Sequence, residues 1–189
     1  MSYSNLFIIS GPSGAGEDSI IESLKKYFPI ERVITTTTRA MRPGEISGNQ
    51  YYFTTLEDFQ KRISNEEFIE YANQYNGNFY GVTQQELDRV AQSGKVGIWK
   101  IEYQGVISAK KLFPEIIAIF ITVPDLSFLE KRIRLRDNAS EEYIKKRMDY
   151  SKEWLNYKNI YDYTVINEDG KLDKAVEEVA EIIKKNTKI

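Results

Sequence analysis

One segment near the start of the chain constrains the fold more than any other. Leu6–Ser10 is an almost wholly apolar run, residues 11–16 are rich in glycine, and a helical period of apolar residues follows at once. Glycines let successive backbone N–H groups turn inward, and the N-terminus of a helix adds partial positive charge. The segment therefore predicts a phosphate-binding loop between a buried strand and a helix. The apolar face of that helix is formed by Ile20, Ile21, Leu24, Tyr27 and Phe28.

The rest of the chain repeats this alternation of strands and helices. Residues 116–123 form a second continuous apolar run, typical of a strand buried on both faces. Residues 32–35, residues 96–101 and Tyr163–Ile166 are weaker strand candidates. A C-terminal helix is indicated by Leu172, Ala175, Val176, Val179 and Ile183. We expect an α/β fold of three layers with a central parallel sheet, in a single domain of 189 residues.

Two segments interrupt the regular pattern. Residues 36–90 contain arginines, glycines and clustered aromatic residues, which predicts a small mixed α/β subdomain inserted into the core. Thr55 and Thr83 each precede an acid by three residues, as at the start of a helix. Residues 125–157 are basic and helical, with Ser140 as the start of a second helix. The core then comprises residues 1–35, 91–124 and 158–189.

Composition excludes several kinds of chemistry. The chain has no cysteine and no histidine, so thiol nucleophiles, disulfides, imidazole bases and zinc sites built on them are ruled out. With 26 basic and 28 acidic residues, it lacks the charge excess expected of a nucleic-acid binder. It has no apolar stretch that could span a membrane, and its first residues do not form a signal peptide, so we expect a cytoplasmic protein.

The phosphate-binding loop departs from the full motif in two places. The motif G-x-x-x-x-G-K-[ST] requires lysine and a hydroxyl after its second glycine, whereas this chain has Glu17 and Asp18, with Ser19 one step later. At ~4 Å and an effective dielectric of ~20, a pair of unit charges is worth about 4 kcal/mol, so replacing the lysine by an acid is a severe change. Asp18 is a candidate ligand for Mg²⁺, which prefers oxygen. The alternative is a glycine-rich turn without a ligand. The predicted donor-phosphate residues are Gly11, Ser13, Gly14, Ala15, Gly16, Glu17, Asp18 and Ser19.

Five segments together give the chain a resemblance to guanylate kinases. They are residues 11–16, the Thr-Thr-Arg-Ala-Met-Arg-Pro-Gly-Glu run at 37–45, the aromatic residues of 48–53, residues 67–70 and the Gly-Asn-Phe-Tyr-Gly run at 77–81. The resemblance extends over nearly the whole chain. It implies a P-loop kinase fold, whose core carries a GMP-binding subdomain at residues 36–90 and an arginine-bearing lid at residues 125–157. It also implies that ATP phosphorylates GMP to GDP with Mg²⁺.

The resemblance also assigns an acceptor site. Arginines are well suited to a GMP phosphate because their planar donors form paired hydrogen bonds with its oxygens, and a carboxylate accepts from the N1–H and 2-amino groups of guanine. Val82 stands where the family often has a hydroxyl, and Glu102 stands where aspartate is usual. Taken singly, each residue also fits an ordinary surface or packing role. The residues implied in GMP binding are Thr35, Arg39, Arg42, Tyr51, Glu70, Tyr80, Thr83 and Glu102.

On the donor side, the resemblance places Arg132 and Arg136 near the donor nucleotide and Asn167 near its adenine. Arg147 matches an arginine that approaches the transferred phosphate. Lys100 stands where the family has a carboxylate, so a lysine is missing at position 17 and present at position 100. We hypothesise that the two charges have exchanged places, with Lys100 reaching the donor phosphates or neutralising Glu17. The implied catalytic residues are Lys100, Arg136 and Arg147.

Two other functions remain open on the sequence alone. A degenerate kinase could hold GMP, or a phosphorylated segment of a protein partner, without turnover. A working kinase could instead use a different donor or acceptor. The donor-side arginines favour an enzyme, because a protein that only binds GMP has no use for them.

Overall fold

The computed structural model describes residues 3–74, 77–137 and 140–187, with Arg136 and Asp137 described by their backbone alone. The strands of this part are β1 (Leu6–Ser10), β2 (Ile30–Arg32), β3 (Thr35–Thr37), β4 (Tyr51–Phe53), β5 (Phe68–Asn73), β6 (Phe79–Thr83), β7 (Val96–Trp99), β8 (Ile117–Thr122) and β9 (Tyr163–Ile166). The helices are α1 (Glu17–Leu24), α2 (Leu56–Ser64), α3 (Gln84–Ala91), α4 (Tyr103–Leu112), α5 (Leu126–Asp137), α6 (Glu141–Asn156) and α7 (Leu172–Asn186).

A five-stranded parallel sheet forms the centre of the molecule, in the order β2-β7-β1-β8-β9. Successive side chains of β1 point to opposite faces, and both faces are buried. Phe7 and Ile9 pack into one apolar cluster, which includes α1 and α7, whereas Leu6 and Ile8 pack into another, which includes α3 and α4. The three-layer α/β fold predicted from the apolar runs is confirmed.

The prediction of one strand at residues 32–35 was wrong. β2 ends at Arg32 in the central sheet, and β3 begins at Thr35 in a second sheet. The Glu86 carboxylate accepts a hydrogen bond from the Ile34 backbone at 2.7 Å, which helps fix the link between the two strands. The helical face predicted to reach Phe28 is also shorter, because α1 ends at Leu24.

The second sheet has four strands in the order β4-β3-β6-β5. Helix α2 packs on it through the buried ring of Phe59, which stacks on Phe68 with 4.3 Å between centroids. Thr55 caps α2 by accepting from the Asp58 amide at 3.1 Å, as predicted. Helix α3 joins this sheet to the core, because its side chains Leu87 and Val90 pack into a cluster on the central sheet.

Helices α5 and α6 form the segment predicted as a lid. Ser140 caps α6 by accepting from the Tyr143 amide at 3.3 Å, which confirms the predicted helix start. The buried side of α6 places Trp154 beside Phe120 of the central sheet and Tyr103 of α4. Within the described ranges, no helix combines the length and the apolar character that crossing a membrane requires.

Candidate active site

The loop after β1 has the geometry that its glycines predict. A side chain at Gly11 would overlap the carbonyl oxygen of Ile121 on the neighbouring strand β8. Gly16 precedes α1 with φ of 97°, a left-handed conformation that other residues rarely adopt. The loop therefore requires glycine at these two positions, and the first turn of α1 follows it directly.

An open cavity of about 240 Å³ lies between this loop, the second sheet and the lid. It brings together residues predicted for both the donor phosphates and the acceptor nucleotide. The predicted residues that line it are Gly11, Ser13, Gly14, Glu17, Asp18, Thr35, Arg39, Arg42, Tyr51, Glu70, Tyr80, Lys100, Glu102 and Arg147.

The remaining predicted residues lie elsewhere. Gly16, Ser19, Arg132 and Asn167 line a second cavity of about 210 Å³ on the far side of the loop, shared with Gly14. Ala15 is buried. The hydroxyl of Thr83 caps α3 by accepting from the Glu86 amide at 3.2 Å, and the structure does not bring it to either cavity. The Arg136 side chain lies outside the described residues.

At the end of the main cavity formed by the second sheet, one guanidinium group is held on two sides. Arg39 forms a paired salt bridge with Glu45, at 2.8 Å from Nη2 and 3.0 Å from Nη1. Its guanidinium carbon also lies 5.2 Å from the centroid of the Tyr51 ring. Glu45 accepts in addition from the Arg42 amide at 2.7 Å. The sequence alone predicted no role for Glu45, although this residue lies within the run at 37–45 that carries the family resemblance.

Two buried carboxyl groups face the same cavity. Burial raises the pKa of Glu70 to about 7, and a Cβ added at Gly105, in the first turn of α4, would lie 3.1 Å from Glu70 Oε1. Burial also raises the pKa of Glu102 to about 7, although a hydrogen bond from Tyr150 and the charge of Arg147 act in the opposite direction. The hydroxyl of Tyr150, on α6, donates to Glu102. This contact joins α6 to a carboxyl on the opposite wall of the main cavity, and no sequence motif indicated it.

A group of charges surrounds the start of α1. Lys100 Nζ lies 2.5 Å from Asp18 Oδ2, and Arg32 Nη2 lies 2.9 Å from Asp18 Oδ1. Burial alone would raise the pKa of Asp18, but the charges and hydrogen bonds of Lys100 and Arg32 outweigh it and lower the pKa to about 2. Asp18 is therefore ionised at neutral pH.

Glu17 lies beside this pair and is 9% exposed. Burial raises the pKa of its carboxyl, and the positive charge of Lys100 partly offsets that rise. Burial acts to lower the pKa of Lys100, but the carboxylates of Glu17 and Asp18 outweigh it, and the pKa lies above its ordinary value. Lys100 thus faces both acids that replaced the lysine and hydroxyl of the motif.

These residues do not fit a preformed magnesium site. Across the described part of the chain, no three acidic side chains lie close enough together to hold a metal ion. Each oxygen of Asp18 already accepts a bond from a cation. Asp18 as a ligand of Mg²⁺ stays a prediction, and a metal ion there would lie beside the charges of Lys100 and Arg32.

Among the described side chains of α5 and α6, Arg147 lines the main cavity and Arg132 lines the second. Arg147 Nη2 donates to Ser13 Oγ at 2.6 Å, which places its guanidinium against the phosphate-binding loop. Arg132 Nη1 donates to the Gly14 carbonyl at 3.1 Å, and Asn167 Nδ2 donates to the Ala15 carbonyl at 2.7 Å. Arg132 and Asn167 thus bind the outer side of the loop.

Comparison with known proteins agrees with this arrangement. A family model described as guanylate kinase matches residues 3–186. The chain belongs to the guanylate kinase family. It is 36% identical to a guanylate kinase of Fusobacterium nucleatum over 188 residues, which cover 100% of both chains. It is 39% identical to a guanylate kinase of Buchnera aphidicola, over 97% of this chain and 88% of that one.

Solved structures give the same result for the fold. A crystal structure of guanylate kinase from Anaplasma phagocytophilum superimposes with a TM-score of 0.75 and 25% identity, covering 97% of this chain and 86% of the other. Shikimate kinase from Acinetobacter baumannii has a TM-score of 0.50 and 11% identity, over 97% of this chain and 95% of that chain, and shares the fold alone. The predicted P-loop kinase fold is confirmed.

Proposed function

We propose that the chain transfers the terminal phosphoryl group of ATP to the phosphate of GMP, giving GDP and ADP. Membership of the guanylate kinase family supports this reaction. The observation that carries it is the single cavity that joins the phosphate-binding loop to a set of residues suited to a nucleoside monophosphate. We expect the reaction to occur in the cytoplasm, as the sequence predicts.

In this proposal, the acceptor phosphate binds Arg39 and Arg42, with the hydroxyls of Tyr51 and Tyr80 as further donors. Glu45 fixes the plane of the Arg39 guanidinium, so its free edge meets the phosphate in one orientation. A guanidinium already held by a carboxylate and a ring loses less side-chain entropy on binding. The acceptor site is thus organised before GMP arrives.

In this proposal, carboxylates recognise guanine by accepting hydrogen bonds from the base. Glu70 is 6% exposed and faces the cavity, and in its ionised form it accepts from the N1–H and 2-amino groups of the base. Glu102 provides a second acceptor once Tyr150 releases it. Adenine lacks this pair of adjacent donors, so we expect GMP to be preferred over AMP.

Transfer itself requires positioning and charge stabilisation, and little proton chemistry. Arg147 lies against the loop and contributes a guanidinium where charge develops in the transition state. Members of the family generally use Mg²⁺, which neutralises phosphate charge when it is bound. We propose that the metal enters with ATP, because magnesium often binds through substrate phosphates and only one or two carboxylates.

One observation favours a second candidate function. Glu17 places a carboxyl beside the loop that would hold the donor phosphates. An ionised carboxylate there repels the phosphates unless a nearby positive charge offsets it. A protein with an uncompensated Glu17 would bind GMP without turnover. This second function predicts tight GMP binding and no product.

The test of the proposal is formation of GDP from GMP, ATP and Mg²⁺, followed by chromatography, with AMP, CMP and UMP as alternative acceptors. We expect GDP to form and the other acceptors to react poorly. Arg39→Ala should raise the KM for GMP, whereas Lys61→Ala, which removes an exposed cation of α2, serves as the control. Tight binding of GMP without GDP would instead support the second function.

A further inference from the structure

We infer that Lys100 is the cation that binds the donor phosphates, in place of the lysine that the loop lacks. The inference rests on the proposed function only for the identity of the donor nucleotide. In the full motif, the lysine that binds the phosphates lies in the first turn of the helix after the loop. Here the proposed phosphate-binding lysine directly follows strand β7.

Strand register explains how Lys100 reaches the loop. β7 lies beside β1 in parallel, with Trp99 paired to Ile8, so Lys100 emerges at the same sheet edge as the phosphate-binding loop. Ser10 Oγ donates to the Ile101 carbonyl at 2.6 Å, so the chain after β7 runs alongside the start of the loop. Ligands of open parallel sheets bind at this edge, beyond the carboxyl ends of the strands.

The charges around Lys100 hold its ammonium at the start of α1. Asp18 accepts from it at 2.5 Å and is held on its other oxygen by Arg32 at 2.9 Å. The side chain of Lys100 is 27% exposed and lines the main cavity together with Ser13 and Gly14 of the loop. An ammonium has three donors, so the bond to Asp18 leaves others for a phosphate.

A nearby Lys100 would explain why an acid is tolerated at position 17, next to the phosphate-binding loop. An acid beside phosphates is costly, but here the positive charge of Lys100 lies close enough to offset part of the rise that burial causes in the pKa of Glu17. Removing Lys100 would leave Glu17 and Asp18 facing the donor phosphates, with Arg32 as the neighbouring cation. The loss of Lys100 therefore removes an attraction and exposes a repulsion at the same place.

The test is the affinity for ADP without GMP, measured by calorimetry, so that no turnover occurs. Lys100→Ala should weaken ADP binding by about 10- to 100-fold, the range for a lost hydrogen bond to a charged group. Lys100→Met should act similarly while keeping the length of the apolar stem. Lys25→Ala, an exposed lysine just after α1, is the control and should leave the affinity unchanged.

A double variant tests whether a lysine at position 17 restores the affinity for ADP. Adding Glu17→Lys to Lys100→Ala returns a lysine to the position that the motif requires, and it should recover most of the lost ADP affinity. If Lys100→Ala and Lys100→Met bind ADP as tightly as the unmodified chain, the inference is wrong. A restoring variant that binds ADP no better than Lys100→Ala also contradicts it.

Measuring GDP formation in parallel separates this inference from the proposed function. If GDP forms and ADP binding does not depend on Lys100, the kinase assignment holds and the inference fails. If ADP binding depends on Lys100 and no GDP forms, the inference holds and the proposed kinase activity is wrong.

Discussion

The buried carboxyl of Glu70 makes GMP binding depend on pH. Its pKa is raised to about 7 because the folded protein buries it. Guanine presents donors, so GMP needs the ionised carboxylate. We therefore predict that GMP affinity rises as the pH increases through 7, and that Glu70→Gln removes this part of the dependence.

The size of the effect follows from the pKa. A carboxyl with a pKa of about 7 is roughly nine-tenths ionised at about pH 8 and roughly one-tenth ionised at about pH 6. Ionisation of Glu70 alone should thus change GMP affinity by about tenfold over this range. The ligand-free protein should also lose up to about 3 kcal/mol of folding free energy as pH rises from about 4.5 to about 7, because the folded state holds its proton over that window.

The assay is a calorimetric titration with GMP at about pH 6, 7 and 8, for the unmodified chain and for Glu70→Gln. The second pKa of the GMP phosphate is about 6, and the pKa of Glu102 is also raised to about 7. Both contributions remain in Glu70→Gln, so the ratio of the two affinities isolates Glu70. A ratio that stays constant between these pH values would refute the reasoning.

Three further substitutions test separate parts of the site. Gly11→Ala should destabilise the protein by about 1–3 kcal/mol in denaturant unfolding, because the new Cβ meets the Ile121 carbonyl; an unchanged midpoint would contradict the described loop. Glu45→Ala should raise the KM for GMP by about tenfold, by freeing Arg39, and leave ADP affinity unaltered; equal effects on both ligands would argue against this. Thr83→Ala should cost about 1 kcal/mol of stability through loss of a helix cap and leave GMP affinity unchanged, whereas a marked loss of GMP affinity would restore the role implied by the family resemblance.

Local patterns were enough to predict the elements on which the site is built. The strand Leu6–Ser10 and the start of α1 are defined by an apolar run, fixed glycines and a helical period, all of which act within a few residues. The strand Tyr163–Ile166 was predicted with its observed bounds for the same reason. These features depend little on the rest of the fold, so the sequence was sufficient.

Features that depend on contacts between residues far apart in the sequence could not be predicted from local patterns. Residues 32–35 form a polar and β-branched run, and nothing local indicates that the chain leaves one sheet and enters another there. The contact between Tyr150 and Glu102 joins a lid helix to the end of β7, and it depends on how the two elements pack. The charge exchange at positions 17 and 100 was suggested by the sequence, but the pairing of Lys100 with Asp18 came only from the structure.

The central claim is that this cavity transfers a phosphoryl group despite Glu17. The most direct measurement uses ATP labelled in its terminal phosphate, mixed with GMP, Mg²⁺ and the unmodified chain, followed by separation of the nucleotides. We predict that the label is recovered in GDP and that ADP appears in equal amount. Label that stays in ATP or appears only as inorganic phosphate, while GMP is bound, would contradict it.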